Sequence, residues 1–62
     1  MDIAIIKKEK ELKDNKWYYK IMLKRDSLFS TWREEFGSFK EKETNIKYYE
    51  FLKARNIKKQ AV

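Results

Sequence analysis

Lys16-Trp17-Tyr18-Tyr19-Lys20-Ile21-Met22-Leu23-Lys24 alternates with a period of two. Trp17, Tyr19, Ile21 and Leu23 fall on one face, and Tyr18, Lys20, Met22 and Lys24 on the other. This aromatic-rich pattern is that of a half-buried strand. Asp14-Asn15 immediately before it suits a two-residue hairpin turn, because Asn tolerates the left-handed conformation. Pairing across that turn sets Leu12 opposite Trp17, Lys8 opposite Ile21 and Ile6 opposite Leu23, with an upstream strand over residues 3–12. Its middle, Lys7-Lys8-Glu9-Lys10-Glu11, is too polar to bury and predicts an edge strand blunted by charge. The Lys/Glu-rich composition would also permit an N-terminal helix, but Ile3-Ala4-Ile5-Ile6 argues for a strand.

Downstream, residues 27–36 fit two patterns. As a strand after an Asp26-Ser27 turn, they place Trp32 opposite Ile21 and Phe36 opposite Trp17. As a helix, they align Leu28, Phe29, Trp32 and Phe36, with Ser27 as cap and Gly37 as terminator. The strand is preferred. Ser38-Phe39-Lys40-Glu41 has the form of a capping box, and Ile46, Tyr49 and Leu52 recur at helical spacing. A helix near residues 40–56 is predicted, stopped by Asn56 in the left-handed position with Ile57 packing back. Residues 58–62 read as a frayed tail. The expected fold is α+β: a small antiparallel sheet of two to three strands packed against one C-terminal helix, forming a single domain over residues 1–62. Its expected core is Trp17, Tyr19, Ile21, Leu23, Trp32, Phe36, Ile46, Tyr49 and Leu52.

Composition narrows the function. The 62 residues include no Cys, no His and one glycine, Gly37. Disulfides, thiol and imidazole nucleophiles, the usual zinc sites and glycine-rich phosphate loops are thereby excluded. Glu34-Glu35 and the Glu41/Glu43 pair lack an Asp-rich loop or His beside them, and helix-start acids explain Glu41 and Glu43 through the dipole. No enzyme, metal or cofactor is expected. The aromatic content of 16% separates the chain from charge-rich disordered sequences. Its longest apolar run, residues 3–6, is far short of the roughly 20 that a membrane span needs. No signal-peptide pattern opens the sequence, so a cytoplasmic protein without membrane association is expected. Lysine far outnumbers arginine, and Ile, Asn and Tyr are frequent. This is the pattern of AT-rich coding in low-GC bacteria, their phages or some archaea; Lys/Glu enrichment is also a thermophile trait.

The formal charge of +6 is unevenly spread: residues 1–25 carry +4, residues 26–43 carry −2 and residues 44–62 carry +4. Basic ends meeting on one face would favour an acidic partner. On the polar side of the sheet the sequence places Lys7, Tyr18, Lys20, Met22, Lys24, Thr31 and Arg33, bases interleaved with an aromatic. Of these, Lys7, Tyr18, Lys20, Lys24, Thr31 and Arg33 are the candidate nucleic-acid contacts.

Residues 16–52 resemble the arm-type, AP2-like DNA-binding domain at the N-terminus of tyrosine recombinases. The resemblance lies in Trp17-Tyr18-Tyr19-Lys20-Ile21 and Gly37-Ser38-Phe39-Lys40. It implies a three-stranded antiparallel sheet on one C-terminal helix and contact with double-stranded DNA. The chain departs from that family in having Arg25-Asp26-Ser27 where a glycine and a lysine are usual. Glu41 also stands where Thr or Ser usually caps the helix.

The leading expectation is a non-enzymatic module that binds double-stranded DNA through the basic sheet face. Lys20, Lys24 and Arg33 would hold phosphates, and Tyr18 would stack or touch sugar. Few phosphate contacts mean modest affinity, so a homodimer or partner protein would be needed for specificity. The alternative is a small, phage-type interaction protein that binds and modulates a host enzyme or nucleic-acid-processing complex. Phe29, Trp32, Tyr48 and Phe51 would be its anchors, as aromatics dominate binding hot spots.

Overall fold

Residues 3–60 are described by a computed structural model, and its geometry starts from the turn. Asp14 and Asn15 have φ of 49° and 63°, the two successive left-handed residues of a tight hairpin turn. That turn joins β1 (Ala4–Lys13) to β2 (Lys16–Arg25). The register is the expected one: Leu12 faces Trp17, Lys8 faces Ile21 and Ile6 faces Leu23. A third strand, β3 (Arg33–Ser38), pairs antiparallel with β2, and the helix α1 (Glu41–Leu52) follows. A short β4 (Ile57–Lys59) then adds parallel to β1, giving the sheet order β3-β2-β1-β4. The class is α+β, with four strands rather than two to three.

Several expectations are corrected. The expected tail is ordered through residue 60: Lys58 and Lys59 pair with Ile5 and Ile6, and Gln60 N–H donates to the Ile6 carbonyl at 3.1 Å, while residues 61–62 lie outside the described residues. β1 is therefore an edge only from Lys7 onward, where its charged middle lies. The Asp26-Ser27 hairpin does not form, since residues 26–32 make a longer connection. Phe36 consequently pairs with Ile21 instead of Trp17, and Arg33 instead of Trp32 closes the strand, opposite Leu23. Met22 then pairs with Glu34, leaving Glu35 as the extra residue of a bulge.

The helix starts later and ends earlier than expected. Lys40 is the N-cap and its side chain makes no capping bond. The Ser38 hydroxyl instead accepts from Lys40 N–H at 3.0 Å and donates to Glu43 Oε2 at 3.1 Å. The expected capping box of Ser38 and Glu41 therefore does not form: Ser38 lies before the cap position and meets Glu43 instead of Glu41. At the other end, Lys53, Ala54 and Ile57 N–H groups donate to the carbonyls of Glu50, Phe51 and Ala54, each three residues back. Asn56 is not left-handed; its carbonyl accepts from Ala4 N–H at 2.7 Å and so leads the chain into β4.

The core is small. Ile6, Ile21 and Leu23 are buried, with Ala4, Phe36, Tyr48, Phe51, Leu52 and Ile57 packed around them. The helix turns its Thr44, Tyr48, Phe51 and Leu52 side to the sheet, while Ile46 and Tyr49 are exposed. Buried Thr44 satisfies its hydroxyl by donating to the Lys40 carbonyl at 3.2 Å. Trp17 leaves the expected core as well, being 47% exposed on the part of the hairpin the helix does not reach. The molecule is 40 Å long and 24 by 19 Å across, the strands of the hairpin spanning about 33 Å of that length. No helix among the described residues is long and apolar enough to cross a membrane.

Candidate nucleic-acid interface

The face of the sheet away from the helix carries Lys7, Tyr18, Lys20, Met22 and Lys24 as expected, but Arg33 is registered opposite buried Leu23, Thr31 lies in the connection before β3, and β1 adds carboxylates to the face. Lys7 Nζ lies 2.6 Å from Glu9 Oε1, and Lys20 Nζ 3.6 Å from Glu11 Oε2. Glu11 also takes Lys13 at 3.4 Å. Cross-strand and same-strand pairs of this kind are what alternation imposes, since Lys7, Glu9, Glu11 and Lys13 all share one side of β1. The Lys7–Glu9 bond and the charges of Lys7 and Lys20 hold the Glu9 carboxyl below its ordinary range, against a smaller effect of burial.

Tyr18 is similarly occupied. Its hydroxyl donates to Glu34 Oε2 at 3.1 Å, its ring meets Phe39 edge-on at 5.0 Å, and Lys13 Nζ stands 4.1 Å from its ring centre. Desolvation, then the bond to Glu34, raise its phenol above the ordinary tyrosine range. The ring crosses Gly37 so closely that a Cβ there would lie 1.9 Å from the Tyr18 hydroxyl oxygen. Glycine is required at this point of β3 for that close approach.

Where β2 ends the arrangement changes: Lys24 falls on this face, while Arg25 and Arg33, registered opposite Ala4 and buried Leu23, fall on the core side. Lys24, Arg25, Phe29, Ser30, Thr31 and Arg33 line an open cleft of about 390 Å³. β2 supplies the first two, the connection at residues 26–32 the next three, and the first residue of β3 the last. None of the six is acidic. Trp32 sits behind them with Lys7 Nζ 4.3 Å and Lys24 Nζ 5.4 Å from its ring centre, so cation–π attraction holds Lys24 at the rim. Arg33 shares its guanidinium with Glu35 at 3.3 Å, and Asp26, the nearest acid in the connection, is drawn off by Lys58 at 3.3 Å.

Of the six expected contacts, Lys24, Thr31 and Arg33 are thus brought together, Arg33 while paired with Glu35, whereas Lys7, Tyr18 and Lys20 face intramolecular partners elsewhere on the sheet. Arg25 and Ser30 were missed. The signal for them was available: Arg25 directly follows Lys24, and hydroxyl residues alternate with aromatics between Arg25 and Arg33. The four expected protein anchors do not form one surface. Tyr48 and Phe51 pack against the core, contrary to their expected exposure, because the helix is rotated toward Thr44. Burial, and next the neighbouring Tyr49, raise the Tyr48 phenol. Trp32 lies under two lysines, and only Phe29 stands free.

Three further carboxylates have local partners: Glu34 serves Tyr18, Glu35 serves Arg33, and Glu43 serves Ser38 and, at 3.9 Å, Lys40. No family model, curated protein or solved structure matches the chain. The recombinase-arm resemblance therefore rests on its short motifs, and function is argued from the site.

Proposed function

We propose that this chain is a non-enzymatic module that binds nucleic acid through its phosphate backbone at the cleft where β2 runs into residues 26–32. One observation carries the reading: three cations, two hydroxyls and an aromatic converge in the cleft formed by Lys24, Arg25, Phe29, Ser30, Thr31 and Arg33, with no carboxylate lining it. Ammonium and guanidinium groups neutralise phosphates, hydroxyls bond to phosphate or sugar oxygens, and a ring offers a surface for a base. The broader contact over the whole sheet face is less well supported, since Lys7 and Lys20 already pair with Glu9 and Glu11.

Fluorescence anisotropy with labelled oligonucleotides at low salt tests the proposal. Binding in the micromolar range is expected, with log K falling against log salt at a slope of about −2 to −3 for three neutralised phosphates. Lys24→Glu combined with Arg33→Glu should abolish it. Absence of binding below about 100 μM, the weak end of non-specific affinity, defeats the proposal. The exposed Leu28 and Phe29 side chains favour a second reading, contact with a protein. An apolar contact of that type would be nearly insensitive to salt.

A further inference from the structure

We propose that the strand held in this cleft is single, with a base stacked on Phe29. The inference rests on the nucleic-acid reading above and adds the form of the ligand. Phe29 is 95% exposed and its neighbour Leu28 96%, the two most exposed large apolar side chains of the described residues. The sequence around them holds them outward. Ser27 Oγ accepts from Phe29 N–H at 3.3 Å, and Ser30 N–H reaches the Ser27 carbonyl at 3.4 Å, closing a turn over residues 27–30. A serine-closed turn with two apolar residues at its tip presents a ring to solvent beside Lys24, Arg25 and Arg33.

A duplex makes poor use of that ring. Its bases already stack on each other, and reaching one requires intercalation with unstacking of a step. A duplex laid along the sheet would also meet Glu9, Glu11 and Glu34 on the same face. A single strand offers a free π-face to Phe29, and its flanking phosphates can reach Lys24, Arg25 and, in exchange for Glu35, Arg33 without crossing Glu9, Glu11 and Glu34. The cleft, about 390 Å³, is at the lower end of the range of small-ligand sites, a scale suited to one nucleotide unit and its neighbours rather than to a helix.

The test compares the full chain against labelled 12-nucleotide single strands of DNA and of RNA, and against the DNA duplex of the same sequence, by anisotropy at low salt. At least one single strand should bind about ten-fold or more tightly than the duplex. Phe29→Ala and Phe29→Leu should each weaken single-strand binding about ten-fold or more, while Phe29→Trp retains it, as base stacking requires a ring and not merely an apolar surface. Phe29 is exposed enough that these variants keep the native circular dichroism. Equal or tighter duplex binding, or unchanged single-strand binding in Phe29→Ala, overturns the inference and leaves the nucleic-acid reading standing. If neither form binds, both fall.

Discussion

The two ends of the β1–β2 hairpin are built from similar residues and held by different forces. At the end where the chain leaves β2, Ile6, Ile21 and Leu23 are buried beneath α1, and Lys24, Arg25 and Arg33 stand around a cleft without acids. At the Asp14-Asn15 end, Leu12 is 60% and Trp17 47% exposed, Lys10 Nζ sits 4.7 Å from the Trp17 ring centre, and Lys13 and Lys20 answer to Glu11. Apolar burial thus stabilises one end, and cross-strand pairs worth a few tenths of a kcal/mol each hold the other. The difference teaches that β1 answers its lysines with carboxylates of its own, whereas no carboxylate lines the cleft at the other end. The binding chemistry therefore sits beside the core and not on the protruding arm.

The sharpest way to break this comparison is to truncate one apolar side chain at each end. Ile21→Ala removes a fully buried side chain and should cost about 2–5 kcal/mol. A domain of this size rarely has more than about 3–5 kcal/mol in total, so the variant should show no cooperative melt by circular dichroism at 25 °C and above. Leu12→Ala should move stability by no more than about 0.5 kcal/mol. Comparable losses at the two positions would mean that the arm contributes as much as the core.

Gly37 tests the boundary between the two ends, because its backbone carries the Tyr18 ring. Gly37→Ala pushes a methyl into the Tyr18 hydroxyl and ring, breaking the bond to Glu34, and should cost about 1–3 kcal/mol in urea unfolding. In a Tyr18→Ala background most of that penalty should vanish, since the obstructing ring is gone. A penalty that persists there would assign the glycine to backbone conformation instead. At the turn itself the effect is smaller and of opposite sign. Asn15 holds a φ of 63°, which glycine adopts without steric cost, so Asn15→Gly should raise the urea midpoint by the equivalent of about 0.5 kcal/mol.

How much was legible follows the range of the interaction that decides each element. The hairpin register could be read because two adjacent residues, Asp14 and Asn15, fix it locally, and alternation does the rest. The place of β3 could not, since residues 26–32 and the extra Glu35 set it, and neither loop length nor bulge leaves a periodic trace. The helix face was misread because aromatic and apolar residues run nearly all round: Ile46 and Tyr49 make as good a stripe as Tyr48 and Phe51. What decides between them is the burial of Thr44, a polar residue no apolar count would choose. β4 is three residues long and pairs with β1 from the far end of the chain, so its sequence alone carries no strand signal. In the site, Lys24 was placed on the right face, whereas Trp32 and Arg33 exchange the faces expected of them: Trp32 lies under Lys7 and Lys24, and Arg33 stands opposite buried Leu23. Lys7 and Lys20 were overvalued because the acids of β1 were not placed on the same face.

The smallest effect probes those acids directly. Glu9 is ionised more readily in the folded chain, chiefly through its bond to Lys7. A carboxyl whose folded pKa lies below its unfolded value contributes stability that is present above the unfolded pKa and lost as pH falls through the folded one. The wild type should therefore unfold at a slightly higher urea concentration than Glu9→Gln at about pH 6, with the gap narrowing as the pH is lowered through the depressed Glu9 pKa. Added salt at pH 6 should shrink the same gap, because the pair is exposed and screened. If the gap persisted unchanged as the pH was lowered, Glu9 would be acting through packing instead of charge. The contrast between an ion-paired arm and an apolar end would then lose its electrostatic half.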